Sequence, residues 1–271
     1  MRKACLILFI FTAVGCAGRS ANVGSNQSGG NTSTVSNSAE SASDVANFER
    51  VTIESPDKTI IVGSFFESAK PNSPAVLLLH QWQSDRHSFD DFARRMQTKG
   101  INILSIDGRG FGESTKAADG TTVAPERTDE AVTAMLGYVG AAVDFLTKQK
   151  NVDPNRIGIV GASYGSSLAI IYAADHPNIK SVALLSPGLN YFGNMQTEPA
   201  VKKYGDRPLL MVAAEDDKES ADAVRELKAA GASDKYQTQV YQQGGHGTGI
   251  FQAKVGLEDT LVQFLVNSLQ K

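Results

Sequence analysis

Ile157-Gly158-Ile159-Val160-Gly161-Ala162-Ser163-Tyr164-Gly165 runs from an apolar, β-type segment into a turn of small residues, and a helical stretch over 166–174 follows at once. A serine between two glycines is a common pattern by itself. The strand before it and the helix after it are what make it informative. A strand-to-helix turn this tight crowds its own backbone and tolerates only small neighbours, and it lifts the serine hydroxyl off the carboxyl edge of a sheet. Ser163 is therefore the candidate nucleophile, and a sheet must lie around it.

Working outward, short β-rich runs alternate with longer helical patterns. Strands are predicted over 48–53, 60–66, 75–79, 101–106, 156–160, 182–185, 208–213 and 238–241. Ser55-Pro56-Asp57-Lys58 is a turn signal, so the first two should form an antiparallel hairpin. Continuous apolar runs such as Val76-Leu77-Leu78-Leu79 fit strands covered on both faces, as parallel strands are. Helices are predicted over 90–99, 128–148, 166–174, 221–230 and 257–269. In the second, Val132, Met135, Leu136, Val139, Val143 and Leu146 recur at helical spacing, a stripe facing a core. Pro154 and Gly231 read as helix-end punctuation. The expectation is a three-layer α/β domain over 47–271.

A serine hydroxyl is a poor nucleophile at neutral pH and needs a base within hydrogen-bond reach and an acid to orient that base. Gln243-Gly244-Gly245-His246-Gly247 is a glycine-flanked loop between the last strand and the last helix, able to carry an imidazole across a sheet edge. Glu215-Asp216-Asp217 follows the strand at 208–213 and offers three adjacent carboxylates. The amide of Tyr164, just after the nucleophile, is a natural donor to a developing oxyanion. Asp107-Gly108-Arg109-Gly110-Phe111-Gly112-Glu113-Ser114 follows the fourth strand.

Taken in this order from about residue 48 to 271, the four segments resemble those of α/β-hydrolase-fold proteins. The resemblance implies a three-layer α/β-hydrolase fold, with a mostly parallel sheet of about eight strands and helices on both faces. It also implies the chain order serine, acid, histidine. Of the two histidines after Ser163, His176 sits at a helix end before Pro177 and reads as a capping or surface residue, so His246 is the expected general base. The family's acid turn has a small residue, two variable ones, then Asp; this maps Ala214 to the small position and Asp217 to the acid, with Asp216 as runner-up. Where the family reads His-Gly and a variable residue, this chain reads His80-Gln81-Trp82. The second oxyanion donor is then the Trp82 amide, with Gln81 as an alternative because glutamine replaces the glycine. His80, Asp107 and Arg109 are expected to shape loops.

Dehalogenases of this fold place Asp at the elbow; Ser163 instead implies attack on an ester or related carbonyl through an acyl-enzyme. No His/Cys/carboxylate cluster with ligand spacing and no nucleotide-type glycine-rich helix start is visible, so neither metal nor cofactor is expected. The stretch 186–208 is short where larger members insert a cap. It is similar to that of dienelactone-hydrolase-like proteins and small carboxylesterases, and Tyr191 and Phe192 either line an acyl pocket or pack on the sheet edge. The expected function is a serine carboxylesterase acting on small-molecule esters. The alternatives are a peptidase or acyltransferase with the same triad, or a non-catalytic lipoprotein retaining the fold. Acyl and alcohol specificity and oligomeric state are not legible.

The amino terminus adds a location. Arg2 and Lys3 precede an apolar run too short to span a bilayer, and Ala13-Val14-Gly15-Cys16 resembles a bacterial lipobox. This implies a signal peptide over 1–15 and acyl chains on Cys16, which would attach the protein to a membrane. Ala17 lacks the Asp associated with inner-membrane retention, which favours an outer membrane in a cell that has two. Residues 16–46 are rich in Ser, Asn and Gly and read as a flexible tether reaching roughly 30 Å. Loss of Arg2 and Lys3 takes the formal charge from −3 to −5. No basic cluster interleaved with aromatics is present, so no nucleic-acid partner is expected.

Overall fold

The computed structural model describes residues 48–231 and 233–270; the expected leader, Cys16 and the tether lie outside them. β1 (Glu49–Glu54) and β2 (Ile60–Phe66) form the expected antiparallel hairpin, with Glu54 opposite Ile60. The chain continues through β3 (Ser73–Leu79), α1 (Asp90–Thr98), β4 (Asn102–Ile106), α2 (Asp129–Thr147), β5 (Val152–Ala162) and α3 (Tyr164–Asp175). Next come β6 (Ile179–Leu185), a small hairpin of β7 (Asn190–Tyr191) and β8 (Met195–Gln196), α4 (Thr197–Tyr204), β9 (Leu209–Ala214) and α5 (Lys218–Ala230). β10 (Tyr236–Tyr241), α6 (Gly249–Gln252) and α7 (Leu257–Leu269) follow.

Eight strands form one sheet in the order β1-β2-β4-β3-β5-β6-β9-β10. β2 meets both β1 and β4 antiparallel, and every pairing from β4 to β10 is parallel. The continuous apolar runs are explained by two separate cores. Ala75, Leu77 and Leu79 of β3 point into one, and Val76 and Leu78 into the other. The first core takes the buried sides of α2 to α5, and the second those of α1, α6 and α7. Full burial of a Val, Leu or Met side chain contributes about 1.5–3 kcal/mol. The α2 stripe is buried at every expected position except Leu136, which is half-buried. By length and composition α2 could cross a membrane, and this core-facing stripe explains its apolarity.

Two features differ from the sequence reading. Gly231 does cap α5, but Pro154 lies inside β5, where the sheet register shifts and pairing with β3 resumes at Ile157. A proline cannot donate to a ladder, so it is tolerated where the ladder is interrupted. The stretch after β6 also holds the β7–β8 hairpin and α4, elements too short to leave a periodic signature.

The topology matters for chemistry because the loops after β3, β4, β5, β6, β9 and β10 all leave the carboxyl edge of one sheet. Side chains remote in sequence meet there.

Candidate active site

Ser163 sits between β5 and α3 at φ 54° and ψ −125°. That left-handed conformation costs a non-glycine residue about 1–3 kcal/mol, and it persists because its surroundings determine it. Ser163 N–H donates to the Leu185 carbonyl at 2.8 Å, and Ser163 O accepts from Ser166 N–H at 2.8 Å. Both glycines are required by contact. A Cβ on Gly161 would fall 2.1 Å from the Gly165 carbonyl oxygen, and one on Gly165 would fall 2.6 Å from the Leu79 carbonyl oxygen.

The His246 loop crosses the sheet edge to this serine. His246 Nε2 lies 2.7 Å from Ser163 Oγ, and Nδ1 lies 2.7 Å from Asp217 Oδ2. A carboxylate only accepts, so Nδ1 carries the proton and Nε2 presents a lone pair to the serine hydroxyl. The three carboxylates after β9 separate by partner. Asp217 takes His246, Asp216 accepts the backbone N–H groups of Gly244 and Gly245 at 3.0–3.1 Å, and Glu215 pairs with Arg225. One acid faces the imidazole and its neighbour holds the imidazole's loop.

Burial alone would raise the Asp217 carboxyl. The His246 ring, the Ser220 hydroxyl, the His246 charge and the Ser186 hydroxyl outweigh it and hold Asp217 below its ordinary value. It is therefore ionised at neutral pH, as an orienting acid must be.

On the opposite side lies the loop after β3. His80 is buried; its Nε2 accepts the Gly108 N–H at 2.8 Å, and its Nδ1 donates to the Gln81 carbonyl at 2.7 Å. Burial pushes its pKa down, so it is a neutral brace. Gln81 Oε1 accepts from Thr248 N–H at 2.6 Å and Thr248 Oγ1 at 2.9 Å. The glutamine side chain thus ties this loop to the histidine loop. Among the described residues, no backbone carbonyl outside the regular elements accepts from the Trp82 or Tyr164 N–H.

Asp107 and Arg109 shape loops. Buried Asp107 accepts from Arg86 N–H and Glu113 N–H at 2.8 Å each, and forms an ion pair with the Arg86 guanidinium. Gly112 must lack a side chain, because its φ is 50° and a Cβ would fall 2.3 Å from the Asp107 carboxylate. Arg109 pairs with Asp57 at 2.8 Å, fastening the hairpin turn to the loop after β4.

Arg86, Ser186 and Arg127 were invisible in the sequence as contributors. Arg86, buried under the sheet edge, stands in a stretch that reads as polar surface. Ser186 follows β6 at φ 47° and accepts the Gly247 N–H at 2.8 Å. Tyr191 donates its hydroxyl to the Ser186 carbonyl at 2.9 Å, while Phe192 packs on Trp82 with centroids 4.8 Å apart and on Tyr164 at 6.0 Å. The Arg127 guanidinium stacks on Trp82 and Phe192, 4.7 and 4.8 Å from their centroids. The aromatic pair therefore stands beside the elbow. Among the described residues, no group of three His, Cys, Asp or Glu side chains is placed to hold a metal ion, and His176 caps α3 with its ring stacked on Tyr172.

A family model described as alpha/beta hydrolase fold matches residues 74–201. The acyltransferase drtE of Aspergillus calidoustus is 29% identical over 147 residues, 54% of this chain and 45% of that one. The thiohydrolase aneE of Aspergillus aculeatus is 29% identical over 117 residues, 43% of this chain and 34% of that one. The matched stretch spans less than half the length of these curated relatives. Among solved structures, an esterase of Pyrococcus furiosus superposes with a TM-score of 0.64 at 17% identity, over 82% of this chain and 93% of that one. The chain has the α/β-hydrolase fold.

Proposed function

We propose that this α/β-hydrolase-fold protein is a serine hydrolase that cleaves carboxylic esters of small molecules. The observation that carries the reading is the unbroken hydrogen-bond succession from Ser163 through His246 to Asp217, at 2.7 Å and 2.7 Å. Ser163 Oγ attacks the ester carbonyl while His246 Nε2 takes its proton. Asp217 holds the imidazole in the required tautomer and stabilises the imidazolium. The oxyanion is received by the Tyr164 and Trp82 amides; one such donor is typically worth about 3–4 kcal/mol of barrier. Collapse expels the alcohol, which takes the proton from His246 and leaves an acyl group on Ser163. Water, deprotonated by His246, then releases the acid.

The acyl-enzyme is also a branch point. Attack by an acceptor other than water would make the protein an acyltransferase, as drtE is named, and a thioester donor would make it a thiohydrolase, as aneE is named. The test is hydrolysis of nitrophenyl esters of increasing acyl length, measured beside the matching thioesters and anilides. Ester turnover that exceeds both and disappears in Ser163→Ala supports the reading. Absence of ester turnover, or faster anilide turnover, contradicts it.

We further propose that acyl chains on Cys16 anchor the protein to a membrane and that the following tether holds the domain clear of it. Several acyl chains make such attachment effectively permanent. Detergent-phase partitioning that is lost in Cys16→Ser tests this, and unchanged partitioning refutes it.

A further inference from the structure

A cleft of about 730 Å³ lies between the β1–β2 turn, α2 and the last turns of α3, a volume typical of sites that take small molecules. It is not the catalytic site. α3 follows directly on Ser163, and Asp175 and His176 of the cleft stand at its far end, about 18 Å along the axis at roughly 1.5 Å per residue. The floor of the cleft is apolar and small, made by Leu136, Gly137, Gly140 and Ala141 of α2 with Ile171 of α3.

Packing does not explain the two glycines. Neither adopts the left-handed region, and a Cβ on Gly137 would meet Pro56 at 3.5 Å while one on Gly140 would meet Tyr172 at 3.5 Å, both ordinary van der Waals contacts. Alanine would fit and would stabilise the middle of a helix relative to glycine. What the glycines preserve is the open floor. Tyr172 supplies a second, independent observation. It is only 8% exposed and its ring is stacked on His176 at 3.8 Å, yet its hydroxyl has no hydrogen-bond partner among the described residues and borders the cleft beside Gly140. Burial, and then the Asp144 charge, push this phenol up to about 12, so it keeps its proton.

The unengaged polar groups around this floor present acceptors and negative charge. His176 Nδ1 donates to the Tyr172 carbonyl at 2.7 Å, which leaves Nε2 as the acceptor of the neutral ring. Lys58, the one Lys or Arg in the lining among the described residues, is paired with Glu54 at 2.7 Å, and Asp175 is paired with Lys203. Asp144 has no ion-pair partner among the described residues, and Asn178 at the rim is neutral. A phenol oxygen also accepts. We propose that this cleft binds a small organic cation, a primary ammonium whose N–H donors engage Asp144 and the Tyr172 oxygen while its apolar body lies on Gly137, Gly140 and Ala141. The site stands apart from Ser163 and does not depend on the serine-hydrolase reading.

The experiment titrates phenylethylamine, protonated at pH 8, into the isotope-labelled full-length chain, beside neutral phenylethanol and anionic phenylpropionate of similar size. Binding is read from the amide shifts of Gly137 and Gly140, with thermal melting alongside. The ammonium should bind about threefold to fivefold tighter than the alcohol, in keeping with a partly exposed ion pair, and the carboxylate weakest. Asp144→Asn should erase the preference for ammonium over alcohol, and Tyr172→Phe should weaken ammonium binding about threefold to tenfold. Gly140→Ala should melt above wild type and bind more weakly, since a methyl group enters the floor. Ester turnover should be unchanged in all three, and binding should persist in Ser163→Ala, so loss of turnover there bears only on the serine-hydrolase reading. No binding of the ammonium, equal binding of the alcohol, shifts confined to amides around Ser163, or wild-type binding in Asp144→Asn and Tyr172→Phe overturns the proposal. A Gly140→Ala protein that melts below wild type overturns it as well, because the glycine would then be a packing requirement.

Discussion

Asp216 and Asp217 are adjacent carboxylates in one turn with different partners, so replacing each with Asn should produce two distinguishable enzymes. In Asp217→Asn the Nδ1–H of His246 loses its carboxylate. An amide NH2 turned toward the ring instead forces the proton to Nε2, where the imidazole cannot accept the proton of Ser163. Such a neutral swap costs about 10⁴ in kcat in a serine–histidine–acid site, equivalent to about 5.4 kcal/mol of barrier. No bond to the backbone is lost, so the melting temperature should change little. Asp216→Asn acts elsewhere. Its carboxylate receives Gly244 N–H at 3.1 Å and Gly245 N–H at 3.0 Å. Hydrogen bonds to a charged group are worth about 1.5–3 kcal/mol, and an Asn carbonyl preserves part of that, so about 1–3 kcal/mol of stability should be lost. The histidine loop loosens, and kcat should fall less than about 100-fold. The assay is nitrophenyl ester turnover with circular dichroism melts on each variant. An Asp217→Asn enzyme within tenfold of wild type, or a larger kcat loss in Asp216→Asn, would refute the assignment.

Arg86→Ala should destabilise the fold by about 3–5 kcal/mol, because it leaves buried Asp107 without its cation; a loss under about 1 kcal/mol in denaturant melts would contradict this. Gln81→Ala removes two bonds to Thr248 and should lower kcat with KM nearly unchanged, whereas a rise in KM alone would mean that Gln81 contacts substrate. Stability should also fall in acid. Burial would raise the Asp57 carboxyl, but bonds from Ser55, Arg109 and Thr59 take it down to about 2, and the Arg50 and Arg86 guanidinium groups take Glu113 to about 2. Carboxyls depressed in the folded state contribute stability above their ordinary values of 3.8 and 4.5 and lose it as pH falls toward 2. Urea midpoints should be flat near neutrality and decline below about pH 5; midpoints constant down to pH 3 would contradict this.

How much was legible follows from where each signal resides. Strand identity lay in runs such as Val76-Leu77-Leu78-Leu79, because a strand covered on both faces needs apolar residues at consecutive positions. The elbow was legible because the backbone atoms that crowd Gly161 and Gly165 come from its own turn and the adjoining β3, a local requirement that only glycine meets. His246 was legible for a similar reason: glycines mark a loop built to cross a sheet edge. Asp217 rather than Asp216 followed from the spacing of the acid turn that the resemblance implies and not from the residues themselves, since the choice depends on side-chain direction within one turn. Arg86 and Ser186 left no trace, because the hydrogen-bond partners of their side chains are 21 to 61 residues away and neither residue type advertises burial. The β7–β8 hairpin and α4 escaped because two-residue strands and an eight-residue helix carry too few periods to register.

The central claim is that Ser163 is a nucleophile activated by His246. Incubation of the full-length chain with a fluorophosphonate probe, followed by peptide mapping, tests it most directly. One adduct on the peptide carrying Ser163, absent in Ser163→Ala and strongly slowed in His246→Ala, is the predicted result. An unlabelled wild type, or labelling that persists in Ser163→Ala, would contradict it.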